Sequence, residues 1–271
     1  MKFALNHMAT PNLSLLHTAQ LAQSIACCGI ELRNDLSTPL FDGDTPEAAR
    51  TIIETTGQRL LALAEVQAFN DVNDNRLDDA AKLIDIAHRC GAEAVSLIPR
   101  NDGLAMGRAE RTANLRTALQ EIKPFLEGRG LFGYIEPLGF EQCSLRYKAE
   151  ALDAISATGS EHCYRLIHDT FHHCLSGEAS YFADMTAIVH VSGVTQSSLA
   201  FNEMRDAHRV LVNNQDRLGN IEQLNALMAD GYDGPISFEP FSSDIHSLSD
   251  PATAISESIN FIKTSVKSSE A

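Results

Sequence analysis

Hydrophobic and polar positions alternate between two patterns along this chain. Apolar runs of about four to eight residues, typical of buried strands, are each followed by a longer segment with apolar residues at helical spacing. In residues 13–28, for example, Leu15, Ala19 and Ala22 fall on one face of a helix. The apolar runs predict eight strands, at residues 2–5, 30–33, 59–66, 94–98, 131–136, 163–168, 187–191 and 235–239.

The segments between these strands predict the helices. Glycines close several of them, and Pro124 inside one pattern predicts a kink or an end at that point. Asn12 is a capping candidate for the first helix. The helices are predicted at residues 13–28, 44–56, 74–90, 106–127, 147–157, 178–184, 218–230 and 251–266.

Strict alternation of strands and helices predicts a parallel sheet that is covered by helices. Eight strand–helix units within 271 residues favour the (β/α)8 TIM barrel, an α/β fold, over an open doubly wound sheet. We expect one domain over residues 1–271, with a frayed tail at 266–271. The longest irregular piece, 192–217, follows the seventh strand and therefore lies at the face where barrel active sites form.

Composition and charge narrow the class of partner. The net charge is −15 at pH 7, so the surface repels a nucleic-acid backbone and an anionic membrane. No apolar run reaches the ~20 residues of a transmembrane helix, and the N-terminal stretch lacks the pattern of a signal peptide. Six cysteines without a CxxC pair predict free thiols in a reducing cytoplasm. We expect a small-molecule substrate, no nucleic acid and no membrane, and a homo-oligomer stays open.

Four consecutive strands end on side chains that can bind a metal. Glu136, Asp169, His190 and Glu239 lie at or near the ends of strands five to eight. Because the carboxyl ends of parallel strands meet at one mouth of a barrel, we expect these side chains to converge. Three carboxylates and one imidazole suit Mn²⁺, Zn²⁺, Co²⁺ or Mg²⁺, and a cation removes the repulsion among the carboxylates. Each alone could be a cap or a surface group, but four in succession predict one divalent metal ion.

Polar side chains near these ends are candidates for contacts with a substrate. His172 follows the sixth strand, within reach of a bound ligand or a substrate oxygen. Asn6, Arg33 and Glu65 lie at the ends of the first three strands, and an ion pair between Arg33 and Glu65 is the alternative there. Arg209 lies in the loop after strand seven, where a solvated charge is the alternative. All five are predicted to lie near the mouth of the barrel.

The order Glu136, Asp169, His190 and Glu239, with His172 three residues after the Asp, resembles the xylose-isomerase-like TIM-barrel superfamily (AP endonuclease family 2). This superfamily includes sugar isomerases, sugar epimerases and the endonuclease IV group. Within it, the chain is most similar to the 2-keto-myo-inositol (inosose) isomerases. The similar segments span nearly the whole chain and are 29–33, 61–63, 68–70, 142–143, 169–172 and 231–241.

The resemblance implies a metal-dependent isomerase of a polyhydroxy ketone or cyclitol in inositol catabolism. Proton transfer would pass through a metal-stabilised enediolate. Glu136 and Glu239 would bind the metal and transfer protons, while His172 and Arg209 would stabilise a substrate oxygen. A ketose 3-epimerase or an inosose dehydratase with the same metal site is the alternative enzyme. A sugar-binding barrel without turnover is the alternative of another class.

Two departures from the family pattern concern the substrate rather than the metal. After His190 the chain reads Val-Ser-Gly, where relatives usually have an acidic pair, and after Arg209 it lacks an aromatic residue and Pro-Gly. The pair Asp206 and His208 resembles endonuclease IV. That enzyme also needs histidines after strands three and four, which this sequence lacks. Together with the charge of −15, this disfavours a nuclease.

Overall fold

Eight apolar segments form parallel strands in the computed structural model, which describes residues 1–104 and 107–266. They are β1 (Lys2–Asn6), β2 (Ile30–Arg33), β3 (Leu60–Gln67), β4 (Ala94–Ile98), β5 (Phe132–Ile135), β6 (Tyr164–Asp169), β7 (Thr186–Val191) and β8 (Pro235–Phe238). Each strand pairs with the next, and β8 pairs with β1, so the sheet closes. The predicted barrel is confirmed, and the open sheet is wrong.

Helices surround the barrel and bury their apolar faces against the strands. They are α1 (Leu15–Ser24), α2 (Pro46–Thr55), α3 (Asp74–Cys90), α4 (Arg108–Glu127), α5 (Lys148–Ala157), α6 (Thr170–Ser176), α7 (Asn220–Ala229), α8 (Ser243–His246) and α9 (Pro251–Ser265). Within the described ranges, none of them combines the length and the apolar character that crossing a membrane requires.

Several helix ends differ from the expected ones. The cap of α1 is Ser14 rather than Asn12, because the Ser14 hydroxyl accepts a hydrogen bond from the His17 backbone N–H. The helix stops at Ser24, four residues before the expected end. Pro124 does not end α4, which continues to Glu127. The expected start at residue 106 and the tail at 267–271 lie outside the described residues, while Val266 is buried rather than frayed.

The helix expected at 178–184 is wrong, because the helix of this unit lies earlier. It is α6, which begins directly after β6. The Asp169 carboxylate caps it by accepting a 3.0 Å hydrogen bond from the backbone N–H of His172, and Gly177, in the left-handed region at φ 67°, ends it. His172 therefore lies in the first turn of a helix.

A layer of apolar side chains lies inside the barrel, below the polar strand ends. Tyr134, Ile167 and Ile188 belong to a small apolar cluster that is separate from the main core. Side chains two positions apart on a strand share a face. Tyr134 therefore lies one layer below Glu136, and Ile188 lies one layer below His190. The side chains at the mouth therefore rest on an apolar layer.

A buried lysine joins α5 to β6 and α6. Lys148 Nζ lies 2.8 Å from His168 Nδ1 and 3.0 Å from His173 Nδ1. Burial lowers the pKa of Lys148 to about 8, although the Glu178 carboxylate, 3.9 Å away, opposes this shift. The other nitrogen of His168 pairs with Gln223 on α7. His168 and His173 thus connect α5, β6, α6 and α7 next to Asp169, which ends β6.

The loop after β5 rests directly on α6, and this contact can be tested at Gly139. A Cβ atom there would lie 2.2 Å from the His172 carbonyl oxygen and 2.8 Å from Leu175 Cβ. We expect Gly139→Ala to lower the free energy of unfolding by about 1–3 kcal/mol, because backbone must move. Gln142→Ala, at an exposed position of the same loop, should change it by less than about 0.5 kcal/mol. Urea unfolding measures both, and equal stabilities would contradict the close approach.

Candidate metal centre

The side chains at the ends of β5 to β8 converge at the mouth of the barrel. Glu136, Asp169, His190 and Glu239 each offer a ligand atom, and these four atoms all lie within 4.8 Å of one another. All four residues are buried, with at most 5% of their surface exposed. His190 Nδ1 lies 3.3 Å from Glu239 Oε2, 3.7 Å from Glu136 Oε1 and 4.0 Å from Asp169 Oδ2. The convergence predicted from the strand ends is therefore present.

Arg209 reaches this cluster from the long loop after β7. Its Nη2 donates to Asp169 Oδ2 at 2.6 Å and to Glu239 Oε2 at 2.9 Å. Its Nε donates to the Ser192 hydroxyl at 2.8 Å, and its guanidinium carbon lies 4.5 Å from the centre of the Phe241 ring. Arg209 is only 1% exposed, so the alternative of a solvated loop charge is wrong.

Asn6 on β1 and Arg33 on β2 hold Glu239 from the other side. Asn6 Nδ2 donates to Glu239 Oε1 at 3.2 Å, and Arg33 Nη1 donates to the same oxygen at 2.7 Å. Arg33 Nη2 also lies 3.3 Å from Glu65 Oε2, so the ion pair considered for these two residues is present. Burial raises the pKa of Glu65 to about 7, although Arg33 opposes the shift. Asn6, Arg33 and Glu65 are three of the five residues predicted near the mouth, and all three lie there.

The two glutamates of the cluster have opposite surroundings. Burial alone would raise the pKa of Glu239, but the charges of His190, Arg209 and Arg33 lower it overall. Glu136 has no guanidinium partner among the described residues. Burial raises the pKa of Glu136, and the negative charge of Glu239 raises it further, against the opposing effect of His190. Paired carboxyl groups with separated pKa values are typical of acid–base catalysis.

His172 lies beside Glu136 in an aromatic environment. Its Nε2 is 4.0 Å from Glu136 Oε1, and its ring packs edge-on against Phe140 and Phe171 with centroid distances of 5.1 and 5.2 Å. Its Nδ1 is buried and has no hydrogen-bond partner in the described part of the chain. The aromatic contacts therefore hold the imidazole next to the cluster.

Glu31 on β2 completes the cluster, and the sequence analysis missed it. Its Oε2 lies 3.0 Å from His190 Nε2, and the residue has no exposed surface. The candidates from the sequence lie at strand ends, whereas Glu31 lies inside a strand. The available signal was its position two residues before Arg33, on the same strand face, because a carboxylate inside an apolar strand requires a polar partner.

The charges of the cluster fit a divalent cation. Four buried carboxylates face two buried guanidiniums, which leaves an excess of one negative charge when His190 is protonated and of two when it is neutral, the form that binds a metal. The carboxylates are those of Glu31, Glu136, Asp169 and Glu239, and the guanidiniums are those of Arg33 and Arg209. His190 Nδ1 is buried, faces three of these carboxylates and has no hydrogen-bond partner among the described residues. An oxygen-rich set with one imidazole suits Mn²⁺, Co²⁺, Mg²⁺ or Zn²⁺.

A second group of metal-capable side chains lies at the opposite end of the barrel, before β6. His162 Nε2 is 2.7 Å from Glu127 Oε1, and Cys163 lies beside them. Lys123 Nζ is 3.8 Å from the same Glu127 oxygen and already supplies a positive charge. Burial raises the pKa of the Cys163 thiol, so it stays protonated at neutral pH. An ordinary surface ion pair therefore explains this group.

The fold and the cluster define a known class of protein. The family model of the xylose isomerase-like TIM barrel matches residues 19–265. The chain belongs to this family. No curated protein sequence matches the chain.

Solved structures of similar shape cover almost the whole chain. A xylose isomerase domain containing protein from Salmonella typhimurium is 28% identical, with a TM-score of 0.89 over 98% of this chain and 97% of that one. The IolI protein, solved with a bound zinc atom, is 18% identical, with a TM-score of 0.84 over 99% and 100% of the two chains. The 3-keto-D-glucoside 4-epimerase YcjR from E. coli is 15% identical, with a TM-score of 0.68 over 97% and 99%. At such identities the last two support the fold alone.

The unequal surroundings of the two glutamates predict opposite effects on the stability of the metal-free protein. We expect Glu136→Gln to raise the free energy of unfolding by about 1 kcal/mol, because it removes one charge from a cluster with excess negative charge. Glu239→Gln should lower it by about 3–5 kcal/mol, because Arg33 and Arg209 lose a buried partner. Urea unfolding in the presence of EDTA measures both changes. A shift of the same sign for both variants would contradict this account.

Proposed function

We propose that this protein is a metal-dependent isomerase of a polyhydroxy ketone or cyclitol, and specifically a 2-keto-myo-inositol isomerase of inositol catabolism. The observation that carries the proposal is the buried cluster in which three carboxylates and one imidazole meet. Glu136, Asp169, His190 and Glu239 would hold one divalent cation. When bound, such a cation supplies Lewis-acid stabilisation of negative charge on substrate oxygens.

Glu136 is the best candidate for moving the proton between neighbouring carbon atoms. No guanidinium holds its carboxylate among the described residues, and the imidazole of His172 lies 4.0 Å away. It would accept the proton from the carbon beside the carbonyl group and return it to the adjacent carbon. His172 would transfer the hydroxyl proton between the two substrate oxygens.

Glu239 would act from the other side of the cluster. Asn6, Arg33 and Arg209 hold its carboxylate through three donor atoms, at 2.7 to 3.2 Å, so its position is fixed and its negative charge is stabilised. It remains the second candidate for proton transfer. Arg209, placed between Asp169 and Glu239, would also contact an anionic oxygen of the substrate.

A polar cleft that reaches Glu65, but not the four candidate ligands themselves, supports a hydroxylated substrate. Its volume is about 620 Å³, and Glu65, which pairs with Arg33, forms part of its wall. Asn34, Asp35 and Lys82 lie in the same wall, so several hydrogen-bonding groups face the cleft. A neutral polyhydroxy compound suits such a lining, since hydroxyl groups both donate and accept hydrogen bonds.

Two of the similar solved structures support a metal-dependent enzyme that acts on a sugar. The IolI structure contains zinc, and the E. coli relative is an epimerase of a keto sugar. A ketose 3-epimerase or an inosose dehydratase with the same metal site is therefore the alternative enzyme, and a sugar-binding barrel without turnover is the alternative of another class. We also propose a cytoplasmic location, which the six free cysteines support.

Hydrogen exchange distinguishes these functions. We expect the enzyme to exchange deuterium from solvent into an inosose, and to convert it into an isomeric inosose, only with a divalent metal bound. EDTA should abolish the exchange, and added Mn²⁺, Co²⁺, Zn²⁺ or Mg²⁺ should restore it. Mass spectrometry and NMR of a panel of inososes and ketoses measure both. Inversion at a ketose carbon would instead identify an epimerase, and loss of water a dehydratase. No exchange with any sugar would contradict an isomerase.

The two glutamates can be tested separately from metal binding. We expect Glu136→Gln and Glu239→Gln each to lower kcat by about 10²–10⁴-fold, because each removes a proton-transferring carboxylate. Glu257→Gln makes the same chemical change at an exposed position of α9 and should leave kcat unchanged. Metal content is measured for each variant. Near wild-type activity of Glu239→Gln with metal bound would show that proton transfer by both glutamates is wrong.

A further inference from the structure

Glu31 is a fully buried carboxylate that lies behind the candidate metal ligands. Two donors, the Ser237 hydroxyl and Asn6 Nδ2 at 3.4 Å, converge on it, and His190 Nε2 lies 3.0 Å from its other oxygen. It forms no ion pair with a guanidinium in the described part of the chain, although Arg33 lies two residues further along β2. Its closest charge-bearing partner is therefore the imidazole of His190.

This contact decides which nitrogen of His190 faces the cluster. A neutral imidazole has one N–H and one lone pair. If the Glu31 oxygen accepts the hydrogen of this contact, Nε2 carries a hydrogen whether the ring is neutral or protonated. The lone pair of the neutral ring is then on Nδ1, the atom that lies 3.3 Å from Glu239 and 3.7 Å from Glu136.

We propose that Glu31 is a positioning residue that sets the tautomer and the ring orientation of His190, so that Nδ1 is presented to a divalent cation. The proposal rests on the metal site proposed above and adds a residue from β2, on the opposite side of the barrel, to it. Carboxylate–histidine pairs of this kind orient metal ligands and increase their basicity. Asn6 and Ser237 hold the Glu31 carboxylate in place, so the orientation is passed from β1 and β8 to β7.

The identity of the side chain matters because an amide could take either orientation. A glutamine at this position could turn its oxygen towards His190 and its NH₂ group towards the Ser237 hydroxyl oxygen. In the reverse orientation, its NH₂ group would face Nε2 and favour the tautomer with the hydrogen on Nδ1. A leucine would leave Nε2–H without any partner. Glu31→Gln and Glu31→Leu should therefore weaken metal binding to different degrees.

Metal affinity tests the proposal directly. Zn²⁺ is titrated against a competing chelator, and the visible absorption of the Co²⁺-loaded protein reports the ligand geometry. We expect Glu31→Leu to weaken Zn²⁺ binding by about 10–100-fold and to change the Co²⁺ spectrum, and Glu31→Gln to weaken binding less. The control is Tyr164→Phe, which removes another buried hydrogen bond, from the Tyr164 hydroxyl to the Leu119 carbonyl oxygen, away from the cluster. It should leave both readouts unchanged.

Three outcomes would overturn the proposal. One is Zn²⁺ binding by Glu31→Leu within about twofold of wild type, and another is an equal loss in Glu31→Leu and Tyr164→Phe, which would indicate a general effect of stability. The third needs no variant and therefore applies even if Glu31→Leu fails to fold. Imidazole ¹⁵N spectra of the Zn²⁺-loaded wild-type protein should show Nε2–H at His190. Coordination through Nε2 would contradict the proposal. A wild-type protein that binds no divalent cation would overturn the metal site as well, so the two failures are distinguishable.

Discussion

Four carboxylates held away from water at one end of the barrel are the constraint on which the rest of the mouth depends. An isolated buried carboxylate is strongly unfavourable, so each of these groups requires donors or an opposite charge. Arg33 and Arg209 supply two positive charges, and the backbone N–H of His172, at the start of α6, supplies a further donor. The strands set the positions, but these partners make the burial possible.

The two guanidiniums also share an apolar cover. The ring of Phe241 lies 4.5 Å from the guanidinium carbon of Arg209 and 5.6 Å from that of Arg33. Phe241 follows Glu239 by two residues, so the segment after β8 provides both a carboxylate and the ring that packs on its partners. Contacts of cations with aromatic faces strengthen as water is excluded. The long loop after β7 is thereby fixed to the strand ends at the point where it delivers Arg209.

Local sequence patterns were sufficient where the physical cause is local. The alternation of apolar runs and helical segments predicted all eight strands, and the metal-capable ends of β5 to β8 were identified because parallel strands bring their carboxyl ends together. The pattern was insufficient at α6. There the pattern marks Asp169 only as the end of a strand, although its carboxylate also caps the next helix. The spacing of apolar residues does not reveal that one side chain both ends a strand and caps a helix.

The sequence by itself determined the barrel, its family and the four candidate ligands, since those follow from the order of residues along single strands. Only the tertiary structure decided what surrounds the ligands. Glu31 meets His190 across 159 positions of sequence, and Arg209 meets Asp169 across 40, because closure of the sheet and folding of a loop bring them together. Pairings over such distances depend on the three-dimensional path of the whole chain, which no local pattern of hydrophobic and polar residues records.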